Sequence, residues 1–339
     1  MITKKEILEQ PQKHKIVAAR YRDLAAPLID LIDSTNPESI DFVGCGTSYF
    51  LAMGCARQFE RLSGGRIRSS FYSGSEMMLG LKRAPKNSLL VGLSRSGSSS
   101  ETISALERAR SMGNATASVT CEPGSEMRGP SDVSVELDFI SEEAIVMTKS
   151  FTSMAFFVSA LARELFAPED LDEYLLAIPE SSSDTLESAR KCIAGISVFD
   201  IDHFVFLGYE EYFAASMEGL IKVTESSLTE ADCYQTLEYR HGPKSKVRRE
   251  TLAVISANPL TVDEELSVAK EIEFLGGKAL IISGGQVSEF EQINTSYRGR
   301  DFGDWFLRAI PLQLLGIEKA LAKKLDPDKP TNLTKVVRL

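Results

Sequence analysis

A buried strand, a serine-rich loop and a helix follow one another at residues 88–110, and this unit constrains the fold more than any other stretch. The apolar run at 89–93 suits a strand that is covered on both faces, as strands of parallel sheets are. Apolar residues then recur at helical spacing through 103–109. An earlier stretch has the same plan, with strand 40–43 and loop 44–48 before a helix. The repetition predicts a β/α series with a mostly parallel sheet.

The loop of the later unit has the composition of an anion site. Five serines occur among residues 94–100, together with Arg95. Backbone N–H groups at the start of a helix lack intrahelical partners and carry partial positive charge, and serine hydroxyls can donate to the same guest. A flexible connector with a serine cap is the alternative, but one hydroxyl suffices for a cap. Because the earlier loop has the same position, we expect the two loops to converge on one phosphate.

Neither loop matches the nucleotide-binding patterns. No lysine occupies the Gly-x-x-x-x-Gly-Lys-[Ser/Thr] position, and Gly44-Cys45-Gly46 lacks the third glycine of the dinucleotide fingerprint. The sequence therefore favours neither a nucleoside triphosphate nor NAD, and no cofactor is expected.

Charge and cysteine usage narrow the class of protein further. The formal net charge is −10, which argues against nucleic acid or an anionic membrane as the main partner. The five cysteines are scattered and form no C-x-x-C pair, as expected for free thiols in a reducing compartment. No run reaches the about 18 to 20 apolar residues of a membrane span. We therefore expect a cytoplasmic protein.

The alternation of strands and helices occurs twice. Residues 1–33 read as a helical segment, and a first β/α series follows over 34–170. The proline-containing, acidic stretch 167–184 is predicted to connect the halves, and a second series occupies 185–328. The apolar tail, 329–339, is expected to pack back onto the protein. Because the second half lacks the serine loops, we infer a duplicated fold in which one copy keeps the phosphate site.

Three charged residues of the second half share one helical face. Glu218, Lys222 and Glu225 are spaced four and three apart. A solvated ladder of ion pairs is the ordinary interpretation. Apolar residues alternate closely with these charges, however, so burial could raise the pKa of a carboxylate toward that of a general base.

His241 is the histidine best placed for chemistry. Gly242-Pro243 follows it and cannot continue a helix, which leaves the histidine on a loop where it can reach a ligand. A structural role remains the alternative. His14 and His203 have no such context, and with three histidines and no clustered cysteines a metal site is not expected.

Six motifs, in order, resemble the sugar isomerase (SIS) domain proteins, specifically double-SIS phosphosugar proteins such as the isomerase half of glutamine:fructose-6-phosphate amidotransferase. They are Gly44-Cys45-Gly46-Thr47-Ser48, Ser94-Arg95-Ser96-Gly97-Ser98-Ser99, Thr148-Lys149-Ser150-Phe151-Thr152, Glu218-Gly219-Leu220-Ile221-Lys222-Val223-Thr224-Glu225, His241-Gly242-Pro243 and Asn332-Leu333-Thr334-Lys335. The form around His241 looks most like the tagatose-6-phosphate ketose/aldose isomerase branch. The resemblance implies two SIS domains, each a mostly parallel five-stranded sheet flanked by helices in a flavodoxin-like three-layer α/β/α arrangement.

The resemblance also implies roles for particular residues. Glu225 matches the base that moves a proton between C1 and C2, and Lys222 matches an active-site lysine near it. His241 matches the residue that helps to open the sugar ring, which comes from the neighbouring subunit of a homodimer. Lys335 matches a tail lysine that can form a Schiff base with the open-chain ketose. The expected phosphate ligands are Thr47, Ser48, Ser94, Arg95, Ser96 and Ser99.

Departures from the family pattern affect the expected substrate. The chain has no glutaminase domain, which disfavours glutamine-driven synthesis. Arg95 replaces a glutamine, and Met147 replaces a serine that contacts sugar in the amidotransferase. The leading hypothesis is an enzyme that converts glucosamine or galactosamine 6-phosphate to the ketose 6-phosphate and ammonia. Deglycation of a fructosamine 6-phosphate and aldose/ketose isomerisation are alternatives, and a non-catalytic phosphosugar-binding regulator is an alternative of another class.

Overall fold

The computed structural model describes residues 1–287 and 289–335, and these divide into two compact units. The serine-loop unit comprises 12–143, 149–176 and 334–335. The glutamate-helix unit comprises 1–11, 144–148 and 177–333.

The helices and strands alternate along most of the chain. The helices of the described residues are α1 (Ile2–Leu8), α2 (Gln10–Thr35), α3 (Thr47–Leu62), α4 (Gly74–Met78), α5 (Ser100–Ser111), α6 (Lys149–Phe166), α7 (Leu171–Gly195), α8 (Glu210–Ser227), α9 (Val262–Phe274) and α10 (Ala309–Ala322). The strands are β1 (Ser39–Gly44), β2 (Phe71–Ser73), β3 (Ser88–Ser94), β4 (Ala115–Thr120), β5 (Val133–Glu136), β6 (His203–Gly208), β7 (Glu230–Tyr234), β8 (Thr251–Ser256), β9 (Lys278–Ser283) and β10 (Glu291–Asn294). The predicted connection at 167–184 is thus mostly helix, and α7 passes from one unit to the other between Leu176 and Ala177.

The sheet of the serine-loop unit has five strands among the described residues, in the order β2-β1-β3-β4-β5. Every pair is parallel. The central strands β1 and β3 are buried at each residue, whereas the edge strand β2 is only partly buried. This agrees with the apolar runs that predicted β1 and β3.

The glutamate-helix unit repeats this topology. Its described strands run β10-β9-β8-β6-β7, and all pairs are parallel. When β6 is set equivalent to β1 and the others follow in chain order, both sheets have the order 2-1-3-4-5. The two predicted α/β halves, each with a parallel five-stranded sheet flanked by helices, are therefore confirmed.

A glycine ends the first strand of each sheet for the same steric reason. A Cβ atom added at Gly44 would lie 2.3 Å from the carbonyl oxygen of Ser48, and one added at Gly208 would lie 2.9 Å from that of Tyr212. In each unit the following helix therefore begins close against the strand end. Only glycine allows this approach, and it sets the position of the loop that joins strand to helix.

Two strands were not predicted from the sequence, β7 and β10. Both lie at the edges of their sheet and carry charged or amide side chains, as in Glu230-Ala231-Asp232-Cys233-Tyr234. An edge strand is exposed on one side and needs no apolar run, so the pattern that predicts central strands is absent. Helix α4 is short, and Gly80, which follows it, adopts a positive φ of 76°.

The core of the serine-loop unit is built on α6. Phe151, Phe156 and Phe157 on this helix are fully buried. Phe166 lies edge-on to Phe59 of α3, with ring centroids 5.8 Å apart. Although α6 is apolar, the described chain contains no helix with both the length and the hydropathy to cross a membrane.

Candidate functional site

The two loops predicted to bind phosphate follow neighbouring central strands. The first follows β1 and the second follows β3, and the strand order of this sheet reverses between these two strands. In open α/β sheets, ligands bind at the carboxyl ends of the strands where the order reverses. Thr47 and Ser48 begin α3 after the first loop, and Ser99 precedes α5 after the second. The topology thus places both loops where this fold binds ligands.

The second loop is a compact turn with converging hydroxyls. Gly97 N donates to Ser94 Oγ (3.1 Å), and the hydroxyls of Ser94 and Ser99 lie 3.3 Å apart. Ser96 Oγ accepts hydrogen bonds from Ser98 N (3.3 Å) and Ser98 Oγ (3.1 Å). Gly97 has a φ of 58°, and a Cβ there would lie 2.2 Å from Ser125 Oγ, so the turn requires glycine. The serines are therefore held in a fixed arrangement.

Both helices present their N-termini at this edge of the sheet. In the described part of the chain, Ser99, the N-cap residue of α5, makes no side-chain cap hydrogen bond, and Gly46, the N-cap residue of α3, has no side chain to make one. Thr47 and Ser48 are nearly buried, at 6% and 4% exposed. The partial positive charge of two helix starts, together with serine hydroxyls, suits an anion such as a phosphate.

The Arg95 side chain contacts an acidic residue and the tail. Its Nη1 donates to Glu142 Oε2 (3.2 Å), and its Nη2 donates to the carbonyl oxygen of Lys335 (2.9 Å). The Lys335 ammonium in turn donates to the main-chain carbonyl of Glu142. The structure therefore brings two predicted site residues, Arg95 and Lys335, together on Glu142. Glu142 was not among the residues predicted from the sequence, where its only signal is its place shortly before the Thr148-Lys149-Ser150 motif.

The charged face of α8 is buried, unlike a solvated ladder. The Lys222 and Glu218 side chains are 2% and 0% exposed, and that of Glu225 is 21% exposed. Lys222 Nζ donates to Glu225 Oε2 (2.6 Å) and lies 3.8 Å from Glu218 Oε1. The ammonium therefore fixes the Glu225 carboxylate while leaving it partly accessible.

Helix α10 packs closely against this face. A Cβ at Gly316 would lie 2.9 Å from the carbonyl oxygen of Lys222, so the two helices are in near contact. Gln313 Nε2 donates to Glu218 Oε1 (3.3 Å), and Gln313 itself accepts a hydrogen bond from Gln10 (3.0 Å). Glu218 is thereby held in place, which supports the position of Lys222 and through it that of Glu225.

His241 lies on an exposed turn of the same unit. Its backbone N donates to the Glu238 carbonyl (3.0 Å), and Gly242 follows with a φ of 128°. Arg240 and Lys244 on either side both pair with Glu271 of α9, at 2.7 and 3.2 Å. The turn is thus anchored while the imidazole faces outward. Within the described residues, no hydrogen bond or ion pair joins His241 to Glu225.

The other two histidines have structural surroundings. His14 is fully buried beside Thr152 Oγ1 (3.1 Å), and burial lowers its pKa to about 3. His203 Nδ1 and Nε2 lie 3.2 Å from Thr251 Oγ1 and 3.0 Å from Asp232 Oδ2. Both side chains therefore serve packing and hydrogen bonding.

His203 belongs to a group whose geometry could hold a metal ion. Its nitrogen and the carboxylates of Glu230 and Asp232 offer ligand atoms within 4.8 Å of one another. Lys246 Nζ, however, lies 2.7 Å from both carboxylates. Burial acts to raise the pKa of Asp232, but hydrogen bonds from Lys246 and His203 outweigh this effect and lower the pKa overall. The carboxylates already have a cation between them, so the group is an ion-pair network at the edge strand β7.

The second sheet carries a buried arginine at the ends of β8 and β9, which correspond to β3 and β4 of the first sheet. Arg308 is 1% exposed, and its Nη1 donates to the carbonyls of Ala257 (2.8 Å) and Ile282 (2.7 Å), just beyond β8 and within β9. Its guanidinium also pairs with Asp304 (3.2 Å) and lies 3.5 Å from the ring centroid of Tyr212. In the sequence, Asp304 and Arg308 form an Asp-x-x-x-Arg pair inside an apolar stretch, and this pair was not among the predicted structural features.

Comparison with known proteins agrees with this architecture. The SIS domain family model matches residues 35–163, which contain β1 to β5. That the second sheet is also an SIS domain stays a prediction. A crystal structure of glucosamine-6-phosphate deaminase from Thermotoga maritima is 31% identical, with full coverage of both chains and a TM-score of 0.83. Tagatose-6-phosphate ketose/aldose isomerase from Escherichia coli shares the fold, at 21% identity and a TM-score of 0.82 over 97% of this chain and 95% of that one.

Curated sequences include relatives at a slightly lower level of identity. Glutamine–fructose-6-phosphate aminotransferase [isomerizing] of Escherichia coli K12 is 27% identical over 98% of this chain, and that of Aliivibrio fischeri is 29% identical over 88%. The chain spans 58% and 52% of the length of these two relatives. On its fold, its motifs and its full-length likeness to a relative of 31% identity, the chain belongs to the SIS-domain family of phosphosugar isomerase enzymes.

Proposed function

We propose that this protein converts an aminosugar 6-phosphate, glucosamine or galactosamine 6-phosphate, to the ketose 6-phosphate and ammonia. The observation that carries the proposal is the Lys222–Glu225 pair, a carboxylate held at 2.6 Å by a buried ammonium yet 21% exposed. A fixed, partly accessible carboxylate suits a general base. A protein that only binds phosphosugars has no need of it.

The proposed reaction moves one proton and consumes one water. After His241 assists ring opening, Glu225 removes the C2 proton, and the electron pair of the C–H bond forms a C1=C2 double bond. The π electrons of the C1 aldehyde move to O1, which takes up a proton from solvent that is released again when the C2 iminium is hydrolysed. The same proton is returned to C1, which leaves an iminium group at C2. Water adds to C2, and ammonia leaves as the carbonyl forms. The serine loops hold the phosphate, so that binding energy far from the reacting carbons positions them.

The nitrogen substituent of the substrate distinguishes the proposed deaminase from two related activities. A fructosamine 6-phosphate deglycase and an aldose/ketose 6-phosphate isomerase would use the same residues. The similarity to the Thermotoga maritima deaminase over both full lengths supports the deaminase. In the same proposal Lys335 provides an amine that can condense with the open-chain ketose.

Two further parts of the proposal concern the assembly and its location. His241 is exposed on an anchored turn, so it is available to a second copy of the chain, and we propose a homodimer in which it serves the neighbouring subunit. The scattered free thiols support a cytoplasmic location. Mixing inactive Glu225→Gln and inactive His241→Ala chains should restore activity if the histidine acts across the interface. Without restoration, His241 acts within its own subunit.

The test is ammonia release and ketose formation from glucosamine 6-phosphate, galactosamine 6-phosphate and a fructosamine 6-phosphate in turn. Glu225→Gln should abolish turnover while each substrate still raises the melting temperature. Glu187→Gln is the matched control, because Glu187 also pairs with a lysine one turn away but on an exposed surface. If no compound turns over yet phosphosugars raise the melting temperature of the unaltered protein, the regulator replaces the enzyme.

A further inference from the structure

The backbone of Arg95 is fixed by the neighbouring strand. Its carbonyl oxygen accepts hydrogen bonds from Cys121 N (3.1 Å) and Thr120 Oγ1 (3.1 Å) at the end of β4. The residue is only 8% exposed, although it lies inside a loop of partly exposed serines. The direction of the side chain is therefore set by the fold and does not depend on a bound ligand.

That direction leads to a buried carboxylate. The Glu142 side chain is 1% exposed and accepts hydrogen bonds from Ser150 N (3.2 Å) and Ser150 Oγ (2.5 Å). Ser150 lies in the first turn of α6, where partial positive charge favours an anion. Arg95 supplies a full positive charge to the same carboxylate at 3.2 Å. A buried ion pair of this kind constrains the position of both side chains, because separating the two charges is costly in the low-dielectric interior.

The second edge of the guanidinium holds the tail. Arg95 Nη2 donates to the Lys335 carbonyl, and the Lys335 ammonium donates to the Glu142 carbonyl, so both ends of Lys335 are bound to this pair. We propose that Arg95 is a positioning residue for Lys335 and is not a ligand of the substrate phosphate. The proposal rests on the proposed function, in which Lys335 supplies a reactive amine.

Only arginine can make both contacts at once. Its planar fork presents parallel donors, whereas lysine is a single point of charge and glutamine carries no charge. Arg95→Lys should keep the pairing with Glu142 and lose the contact with the Lys335 carbonyl. Arg95→Gln should remove the positive charge that faces the Glu142 carboxylate. Both variants are therefore expected to release Lys335, and the lysine variant does so while keeping a positive charge beside the buried carboxylate.

Tryptic cleavage after Lys335 measures the contact without any need for turnover. Trypsin must take the lysine side chain into its specificity pocket and the carbonyl into its oxyanion hole, and both groups of Lys335 are engaged here. Cleavage of the Lys335–Val336 bond is followed by mass spectrometry. We expect it to be at least about fivefold faster in both Arg95 variants, because that is the size of effect expected when a charge-assisted hydrogen bond is lost. Arg110→Gln is the matched control, since Arg110 also donates to a carbonyl (Gly129, 3.0 Å) and faces a carboxylate (Asp132, 3.6 Å). It should cleave like the unaltered chain.

Kinetics separate positioning from phosphate binding. Arg95→Gln should lower kcat with little change in KM, and it should add no further loss to Lys335→Met. The rise in melting temperature with inorganic phosphate should be unchanged. Unchanged cleavage after Lys335, together with weaker phosphate binding, would overturn the proposal and make Arg95 a phosphate ligand. If the unaltered protein turns over no phosphosugar, the proposed function fails, and cleavage alone still decides whether Arg95 holds the tail.

Discussion

Glu265 of α9 predicts an unusual dependence of stability on pH. The side chain is fully buried and accepts a hydrogen bond from Asn258 N (2.8 Å). Burial raises its pKa from 4.5 to about 8, although the hydrogen bond from Asn258 and the nearby Arg308 oppose the shift. Near neutral pH the folded chain therefore keeps a proton on Glu265 that the unfolded chain has released.

The sign and size of the effect follow from this difference. A carboxyl group with a raised folded-state pKa contributes stability that is complete below the unfolded-state pKa of 4.5 and is lost as the pH rises through about 8. Each pH unit inside this window lowers the free energy of unfolding by about 1.4 kcal/mol, and this dependence on pH becomes weaker close to the folded-state pKa. Between about pH 6 and about pH 8, Glu265 should therefore lower the free energy of unfolding by about 2 kcal/mol.

Urea unfolding at several pH values, monitored by circular dichroism, measures this loss. Glu265→Gln keeps an acceptor for Asn258 but cannot titrate, so its free energy of unfolding should fall about 2 kcal/mol less than that of the unaltered chain over the same pH range. Glu264→Gln is the control, because Glu264 is the exposed neighbour on the same helix and should leave the slope unchanged. Equal slopes for the unaltered chain and Glu265→Gln would show that Glu265 is ionised in the folded protein and that the reasoning from burial is wrong.

Three further substitutions test the loops and the second sheet. Gly97→Ala places a methyl group 2.2 Å from Ser125 Oγ at a φ of 58°, and it should lower the free energy of unfolding by roughly 1 to 3 kcal/mol in urea. Ser94→Ala should weaken phosphosugar binding by about fivefold in melting-temperature titrations, whereas Ser111→Ala at the far end of α5 should not. Arg308→Met removes the cation that pairs with the buried Asp304 carboxylate. Urea unfolding should therefore show that the free energy of unfolding falls by about 3 to 5 kcal/mol. A loss below about 1 kcal/mol would mean that Asp304 is protonated or relaxes into water.

The sequence predicted the strands that are buried on both faces of their sheet. The central strands β1, β3, β6 and β8 appear as apolar runs, because helices cover both faces of a parallel sheet. The edge strands β7 and β10 lack this constraint, so local pattern could not find them. Their place follows only from the complete sheet.

For the candidate site, the sequence located the residues but could not give their partners. Hydroxyl density pointed to the serine loop, and helical spacing put Glu218, Lys222 and Glu225 on one face. That this face is buried depends on α10, whose Gly316 lies about ninety residues further along the chain. The orientation of Arg95 depends on Glu142 and on the tail, which are also distant in sequence. Long-range packing of this kind leaves no local periodicity to read.

The two sheets share one strand order, yet the same edge is used differently in each. In the first sheet, loops of small hydroxyl residues follow β1 and β3, and the helix starts behind them carry no side-chain caps among the residues described. In the second, Arg308 donates to Ala257 and Ile282 at the ends of β8 and β9, which correspond to β3 and β4, and to Asp304. A guanidinium placed there supplies internally the positive charge that a phosphate site would offer to a ligand, and Asp304 neutralises it. The polar groups at these strand ends are satisfied by the chain's own side chains in the second unit, whereas the serine loops of the first unit remain the predicted site for an anion.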